Sequence, residues 1–463
     1  MPGLTTGEAA RKLVHVAVGG LAFLLRFLTW RQAAVMAATA FVFNLYLLPR
    51  IGGRRLWRAP EQQRGLPAGI LLYPLAVLGL VLVFRHELWI AAAVWAILAF
   101  GDGMATVVGL TAGGPRLPWN AAKGWAGSLA FVLFGSVGAS VLLAWTLRLP
   151  IASAFSPRIL VLTVPLAVLC ALVESAPTTL DDNLTVPLAG ALVLPLLVQA
   201  DLRGLAALPE LSSRALSGLA VNAVIAVIAS LAGWMDRPGA LSAVVVGVAI
   251  TVGLGLPGLM VMIAFFVIGT AATKLGYREK AARGIAQEKG GARGWRNAWA
   301  NGGVPALLAL LAGAAAMRPG AGTMGLLLAV AYAAAVATAA TDTCSSEVGK
   351  AYGRRTFLVT TFRPVAPGTE GAVSLEGTTA GVLGGAVVGA VGAVAGLYAW
   401  PLAVVVAAAG LLGSLAESVV GTVAERKGWM GNDLLNAFNT AAGAGIAVGM
   451  VWIAGRMGWT IGS

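Results

Sequence analysis

Acidic and basic side chains cluster with glycines at two places in a chain that is otherwise rich in Ala, Val, Leu and Gly. The more polar place is the run 341–377, which begins with Asp342 at the end of an apolar stretch and continues through Glu347 and Lys350. Glycines in such a run let the backbone approach a phosphate closely. Carboxylates combined with basic side chains suit Mg²⁺-assisted phosphoryl transfer, because Mg²⁺ takes one or two carboxylates together with phosphate oxygens. The alternative is a solvated loop between two membrane helices.

The first half of the chain carries a similar set of residues. An apolar stretch ends at Asp102, a loop leads to Lys123, and Glu174 lies within a later apolar stretch. Asp102 precedes Glu174 by 72 positions, and Asp342 precedes Glu417 by 75, which predicts an internal repeat. A carboxylate inside a membrane helix costs about 2.5–3.5 kcal/mol on insertion scales and is usually functional. Ion or proton transport is the competing use of such carboxylates.

Composition sets the fold class. The chain has 463 residues, of which 58% are hydrophobic and 11% charged, and its mean hydropathy is +0.85. Apolar runs of roughly 17–23 residues are long enough to cross a hydrocarbon core of about 30 Å. The sequence therefore predicts an all-α polytopic membrane protein with about fifteen transmembrane helices in two related bundles, residues 1–205 and 206–463. The predicted spans include 13–30, 32–48, 66–84, 240–255 and 257–276.

Basic loops predict the orientation in the membrane. With the N-terminus inside, every second loop carries Lys and Arg, so the positive-inside rule places both motif sets on the cytoplasmic side of a plasma or inner membrane. The net charge of +13 suits anionic lipid and an anionic substrate, whereas nucleic acid is not expected because the basic residues are scattered over separate loops. We expect no cleavable signal peptide. Two cysteines and two histidines are too few for a disulfide framework, a zinc site or a histidine metal site.

Several short motifs follow one another along residues 8–200. They are Arg11-Lys12 with His15, Gly101-Asp102 leading to Gly109, Lys123 with Gly127-Ser128, and Glu174-Ser175 leading to Asp181-Asp182-Asn183. Together they resemble the membrane prenol kinase family of phytol kinase and dolichol kinase. This resemblance implies an isoprenoid alcohol as substrate and CTP as phosphate donor. The family loop usually reads Lys-Thr-x-Glu-Gly-Ser, whereas Gly124 and Ala126 replace the Thr and the Glu here.

A second group of motifs occupies roughly residues 214–460. They are Thr273-Lys274-Leu275-Gly276, Asn301-Gly302-Gly303, Asp342-Thr343 with Ser346 to Lys350, Pro367 to Gly371, Ser374 with Glu376-Gly377, and Glu417-Ser418. They resemble the membrane family that contains plant phytyl-phosphate kinase, in which the position of Glu417 is often Asp. The loop 274–296 is basic, and Lys274, Lys280, Arg283 and Arg293 are candidates for binding the phosphate of the substrate. Contact with anionic lipid is the alternative for this loop.

The residues and the two resemblances together predict the site. The predicted catalytic residues are Asp102, Lys123, Glu174, Asp342, Glu347 and Glu417. The predicted nucleotide- or phosphate-binding residues are Arg11, Lys12, Gly101, Gly109, Gly127, Ser128, Asn183, Lys274, Lys350, Gly368, Thr369, Glu370, Gly371, Ser374, Glu376, Gly377 and Asn432. The predicted ligands of Mg²⁺ or another divalent cation are Asp102, Asp181, Asp182, Asp342 and Glu347.

The resulting hypothesis is a fusion of two membrane kinases. The first half would phosphorylate an isoprenoid alcohol such as phytol or geranylgeraniol, and the second would convert the monophosphate to the diphosphate, both with CTP and Mg²⁺. One alternative is that only one half, the prenyl-phosphate kinase, is active. An alternative of another class is a transporter or flippase for a lipid phosphate.

Overall fold

The chain is helical and apolar, as its composition predicts. The computed structural model describes residues 6–51, 57, 67–287, 289–320, 322–369, 371–424 and 427–458. Within these ranges, eleven helices are long and apolar enough to cross a membrane. The chain divides into two compact units, residues 1–198 and 199–463.

The described residues of the first unit form seven helices. They are α1 (Thr6–Gly19), α2 (Trp30–Val42), α3 (Ala68–Val83), α4 (Leu88–Ala112), α5 (Trp125–Thr146), α6 (Pro157–Glu174) and α7 (Asp182–Gln199). A π-helical turn over Ile97–Asp102 interrupts the regular winding of α4 and ends at Asp102. Such turns are frequent at functional sites, and this one carries an acid that is 1% exposed.

The described residues of the second unit form nine helices and one short pair of strands. The helices are α8 (Leu202–Ala206), α9 (Leu211–Leu231), α10 (Arg237–Lys274), α11 (Tyr277–Ala282), α12 (Trp295–Ala316), α13 (Gly322–Tyr352), α14 (Leu375–Val394), α15 (Trp400–Ala424) and α16 (Asn432–Arg456). Strands β1 (Phe357–Leu358) and β2 (Ala372–Val373) pair antiparallel in the loop between α13 and α14. This pair of strands was not predicted from the sequence.

Helix α10 folds back on itself at Gly255. This residue has φ 67° and ψ −163°, a conformation that side chains other than hydrogen strongly disfavour. Gly239 near the beginning of α10 and Gly269 near its end both lie against Arg293. The two arms, residues 237–254 and 256–274, therefore run antiparallel, which agrees with the separate predicted spans 240–255 and 257–276.

Among the described residues, eleven helices are long enough to cross a membrane, and α10 covers two of the fifteen predicted spans. The three predicted spans without such a helix lie at the beginning of the chain. The predicted spans 13–30, 32–48 and 66–84 contain helices of 14, 13 and 16 residues. At 1.5 Å per residue, a 14-residue helix is only about 21 Å long. The apolar run continues beyond α1 and α2, but its backbone changes to a 3₁₀ turn at Gly20–Arg26 and a π turn at Phe43–Leu47.

Close packing of α4 against α5 depends on two facing glycines, Gly109 and Gly127. A Cβ atom at Gly127 would lie 2.9 Å from the backbone oxygen of Ala105, and one at Gly109 would lie 3.4 Å from the Cα of Gly127. Small residues at such positions let membrane helices approach closely. The two glycines thus bring the beginning of α5 against the helix that carries Asp102.

We expect Gly127→Ala to destabilise the protein by about 1–3 kcal/mol, because the added methyl group meets backbone that has no room to move. The midpoint of thermal unfolding in detergent measures this effect. Gly79→Ala in α3 is the matched control, since nothing lies within 4 Å of a Cβ at that position. If the unfolding midpoint of Gly127→Ala equals or exceeds that of the unmodified protein, α4 and α5 can move apart without a loss of stability.

Candidate active site

Asp102 is the centre of a buried charged cluster in the first unit. Lys12 Nζ donates a hydrogen bond of 2.7 Å to Asp102 Oδ2, and His15 Nε2 lies 3.5 Å from the same oxygen. His15 Nε2 also lies 3.0 Å from the backbone oxygen of Leu98. The other carboxylate oxygen, Asp102 Oδ1, is buried and has no hydrogen-bond partner among the described residues. Asp102 thus keeps one acceptor atom available while the other is held by a cation.

A cavity of about 340 Å³ opens onto this cluster. Its polar end is formed by Arg11, Lys12, His15, Asp102 and Asn183. The remaining wall is mainly apolar and comprises Val14, Val18, Leu21, Ala40, Phe43, Leu48, Ile70, Tyr73 and Pro74 with Asn44 and Gly69. A cavity with one charged end and a long apolar wall suits a molecule with a polar head and a hydrocarbon tail.

Lys123 and Glu174 form an ion pair beside the cluster, with Lys123 Nζ donating to Glu174 Oε1. Burial alone disfavours the charge on Lys123, but the charge of Glu174 and this hydrogen bond outweigh burial and raise the pKa of Lys123 above its usual value. Asp182 and Asp102 act on Lys123 in the same direction. Lys123 is therefore a fixed cation that lies close to three carboxylates.

The loop that carries Lys123 is fastened to the end of α6. Trp119 Nε1 donates to Ser175 Oγ at 3.1 Å, and Asn120 Nδ2 donates to the backbone oxygen of Ser175 at 3.1 Å. These contacts explain how two motifs that are far apart in the sequence meet at Glu174. Ser128 is half-buried in the first turn of α5.

The predicted glycines of the first unit serve helix packing. Gly101 lies against Phe131, where a Cβ atom would come within 3.0 Å of the ring, and Gly109 and Gly127 face each other between α4 and α5. The structure does not bring these three glycines to the cavity lining, so their role in nucleotide binding stays a prediction.

Asp181 and Asp182 lie at the beginning of α7. Asp181 Oδ1 accepts hydrogen bonds from the backbone N of Asn183 at 3.0 Å and from its Nδ2 at 2.7 Å. Asp182 Oδ1 accepts from the same backbone N at 3.0 Å. These bonds satisfy the N–H of Asn183 in the first turn of the helix, and Asn183 lines the cavity.

The second unit holds a polar cavity of about 130 Å³ at the end of α13. Eight of the residues predicted from the sequence line it: Asp342, Lys350, Gly368, Thr369, Gly371, Ser374, Glu417 and Asn432. Thr356, Ala372 and Val373 add the strand pair as a wall. Ser374 caps α14, because its Oγ accepts a hydrogen bond of 3.1 Å from the N–H of Gly377. The positive end of this helix therefore points towards the cavity.

Two carboxylates meet in this polar cavity. Asp342 lies within hydrogen-bond reach of Glu417 and of Ser414, and Lys350 is close enough to act on its charge. Asn439 Nδ2 lies 3.5 Å from Glu417 Oε2, while Asn439 Oδ1 is buried without a partner in the described ranges. Two adjacent carboxylates and an unpaired amide oxygen are oxygen ligands of the kind that bind Mg²⁺. The residues present thus fit a divalent cation, although no group of three or more His, Cys, Asp or Glu side chains is found in the described chain.

Glu347 faces away from this cavity. It forms an ion pair with Lys280, and residues Glu347 and Lys280 are 4% and 0% exposed. Glu347 is not among the residues that line the cavity, although its charge acts on Asp342, and a metal site shared by Asp342 and Glu347 stays a prediction.

The remaining predicted residues of the second unit lie around the cavity rather than in its lining. Lys274 Nζ donates to the backbone oxygen of Gly290 at 2.9 Å, and Arg283 Nη1 donates to that of Lys350 at 3.2 Å. Glu376 and Gly377 lie in the first turn of α14. Glu370 lies outside the described residues.

Of the side chains at the two sites that were not among the predicted site residues, four lie near the predicted acids. In the first unit they are His15, which the spacing from Arg11 places on the same helix face, and Tyr73, which packs edge-on against His15 with ring centroids 4.6 Å apart. In the second unit they are Ser414 and Asn439. Asn439 is 0% exposed in an apolar helix, and a buried amide at such a position is the one sequence signal that points to it.

Comparison with known proteins gives the relationships of the chain. The sequence model of the family described as "Integral membrane protein DUF92" matches residues 220–444. The uncharacterized membrane protein sll0875 of Synechocystis is 42% identical over 207 residues, which are 44% of this chain and 78% of that protein. Protein VTE6, chloroplastic, of Arabidopsis thaliana is 35% identical over 237 residues, 50% of this chain and 70% of that protein.

Other relatives carry the name of an enzyme. A probable phytol kinase 2, chloroplastic, of Glycine max is 32% identical over 198 residues, which are 42% of this chain and 66% of that protein. No solved structure matches the chain.

Proposed function

The chain belongs to the DUF92 family of integral membrane proteins, and on this premise we propose that it is a bifunctional membrane kinase. Its first unit phosphorylates an isoprenoid alcohol, such as phytol or geranylgeraniol, to the monophosphate, and its second unit converts the monophosphate to the diphosphate. CTP is the phosphate donor, as the resemblance to the prenol kinases implies. The relatives named phytol kinase support the first reaction.

The observation that carries the proposal is the unpaired oxygen of Asp102 at the charged end of an otherwise apolar cavity. A buried carboxylate oxygen without a partner is costly, and the hydroxyl group of an alcohol supplies the missing hydrogen bond. The apolar wall then surrounds the hydrocarbon tail. Water has no such tail, so the same cavity selects the alcohol over hydrolysis of the donor.

Phosphoryl transfer needs a proton acceptor and cations in fixed positions. The alcohol oxygen forms a bond to the γ-phosphorus of the nucleotide as the bond between this phosphorus and the β–γ bridging oxygen breaks. The hydroxyl proton passes to Asp102 Oδ1, and the nucleoside diphosphate leaves. Lys12 and His15 hold Asp102 in position. Lys123, which Glu174 holds in place and which is partly exposed, supplies a positive charge for the phosphate groups.

The second reaction belongs to the polar cavity at the end of α13. Lys350, the first turn of α14 and the loop with Gly368, Thr369 and Gly371 surround it, and such groups bind phosphate oxygens. Asp342 and Glu417 would hold Mg²⁺, with Asn439 as a further oxygen ligand. The cation would neutralise the charge that spreads over the transferring phosphoryl group.

We place both reactions on the cytoplasmic side of a plasma or inner membrane. Within the second unit, the contacts of Arg293, Lys280 and Glu347 gather the loops after α9, α10 and α13 at one end. The loops after α10 and α13 are rich in Lys and Arg. The positive-inside rule therefore assigns this end to the cytoplasm.

The direct test uses the purified full-length protein in detergent with geranylgeraniol, radiolabelled CTP and Mg²⁺. We expect labelled monophosphate first and labelled diphosphate later on thin-layer chromatography, and neither product in excess EDTA. ATP in place of CTP tests the donor. A lipid-phosphate transporter would form no labelled lipid in detergent, so the absence of both products under all donors would contradict the proposal.

A further inference from the structure

The second unit contains another cavity, which lies apart from the polar cavity and shares no lining residue with it. It measures about 80 Å³ and lies between α9, both arms of α10 and α12. Its walls are mainly apolar and include Ile225, Ala226, Met262, Phe265 and Phe266. Nothing in the proposed reactions uses this cavity.

One end of this apolar cavity is formed by the guanidinium group of Arg293, a residue that is 8% exposed. The backbone of Arg293 is fixed, since its N–H donates to Trp234 O at 2.9 Å and its oxygen accepts from Asp236 N at 3.2 Å. The guanidinium carbon lies 5.0 Å from the centroid of the Phe265 ring. In the part of the chain that the structure describes, the guanidinium has no hydrogen-bond acceptor and no ion-pair partner.

The charges around Arg293 do not balance. The nearest acid that acts on it is Glu347, but Glu347 is already paired with Lys280. Burial lowers the pKa of Arg293 to about 10, in spite of the charge of Glu347, so Arg293 is a cation at neutral pH. A buried cation without a partner is unfavourable. A bound anion in the cavity would complete the cluster.

An amide adds a second donor at this end. Asn297 lies in the first turn of α12, lines the cavity and is half-buried. Its side chain makes no hydrogen bond within the described ranges, whereas the neighbouring Asn301 donates to the backbone oxygen of Asn297 at 3.1 Å. A guanidinium with an adjacent free amide matches the several oxygens of a phosphate group.

We propose that this cavity is a binding site for a single-chain lipid phosphate, with the phosphate on Arg293 and Asn297 and the first part of the chain against Met262, Phe265 and Phe266. The identity of the hydrocarbon chain of the ligand as an isoprenoid rests on the proposed function, whereas the binding of its phosphate group does not. The site is separate from the cavity around Asp342, and it holds the monophosphate at the same end of the unit. Its occupant has the chemistry of the intermediate that links the two proposed reactions.

The test is a binding measurement on the full-length protein in detergent without nucleotide. Geranylgeranyl monophosphate and geranylgeraniol are the probes, and native mass spectrometry or calorimetry is the readout. We expect Arg293→Met to weaken binding of the monophosphate by about tenfold or more, which corresponds to the loss of one charge-assisted interaction, and to leave binding of the alcohol within twofold. Arg296→Met is the matched control, because Arg296 is exposed and stacks on Trp295. Unchanged binding of the monophosphate to Arg293→Met overturns the proposal.

Thermal unfolding shows whether Arg293→Met is folded. If it is not, a second variant tests the site. Ala298 lines the cavity and is partly exposed, so Ala298→Leu fills the cavity without removing a charge. It is expected to weaken binding of the monophosphate, and unaltered binding counts against the site. Phosphatidate, which has two chains, is the third probe, and binding as strong as that of the single-chain phosphate would assign the site to membrane phospholipid instead.

The outcomes for the site and for the proposed function are distinct. Arg293-dependent binding without any turnover supports the site and contradicts the kinase. If the protein forms diphosphate normally but binds the monophosphate equally well with and without Arg293, the result supports the kinase and contradicts the site.

Discussion

We expect Asp102→Asn to slow phosphorylation of an isoprenoid alcohol by about 10²–10⁴-fold, the range usual for the loss of a positioned general base. Asparagine keeps the shape of the side chain but neither accepts the hydroxyl proton nor balances the charge of Lys12, which donates to Asp102 at 2.7 Å. The initial rate of monophosphate formation from geranylgeraniol, followed by mass spectrometry, measures the effect. The same variant is expected to convert supplied geranylgeranyl monophosphate to the diphosphate at the normal rate.

Two controls separate chemistry from folding in this experiment. Glu87→Gln removes an exposed acid at the opposite end of the same helix, α4, and should leave both reactions unchanged. The retained conversion of the monophosphate shows that the Asp102→Asn protein is folded and inserted. If Asp102→Asn phosphorylates the alcohol at a rate within tenfold of that of the unmodified protein, Asp102 is not the proton acceptor.

The polar cavity of the second unit shows how much of a site the sequence could predict. Asp342, Glu417 and Asn432 come from separate helices, yet all were predicted, because each lies at or near the end of an apolar segment on the side with basic loops. In a membrane protein, the alternation of spans fixes which helix ends share a side. The side of the membrane that each helix end shares was therefore enough to group these residues, although the sequence does not show which helices contact one another.

Helix geometry explains why Glu347 did not join that cavity. Five residues at about 100° each separate its direction from that of Asp342 by about 140°. Residues 342–352 form the last part of α13, so the polar run that begins at residue 341 starts as a helix. Glu347 therefore pairs with Lys280. Its closeness to Asp342 in the sequence did not mean that the two side chains lie on the same face of the helix.

Glycines mark the limit of prediction from a single sequence. Gly368 and Gly371 have φ values of 89° and 73° and line the polar cavity, whereas Gly109 and Gly127 lie between two helices. Both groups occur in motifs that resemble phosphate-binding loops, because the same small size suits a turn, a bound phosphate and close helix packing. The choice between these uses depends on neighbours that are distant in the sequence.

We expect Asp342→Asn to stop the reaction sequence at the monophosphate, with formation of the diphosphate slowed by about 10²–10³-fold, as for the loss of one preorganised electrostatic contact to the transferring group. Asp342 lies within reach of Glu417 and close to Lys350, so its removal takes away half of the carboxylate pair that fits a divalent cation. Raised Mg²⁺ should restore part of the rate, because weaker cation binding is compensated by concentration. Glu417→Gln should show the same pattern.

The matched control for Asp342→Asn is Glu210→Gln, which removes an exposed acid of the same unit that pairs with Arg214 at 3.6 Å. It should change neither reaction. The pattern of products decides between two arrangements of the chain. Accumulated monophosphate in Asp342→Asn, together with intact conversion of supplied monophosphate in Asp102→Asn, requires two independent sites. Loss of both reactions in both variants, with normal thermal unfolding, would mean that the two carboxylates serve one composite site, and the division into two kinases would then be wrong.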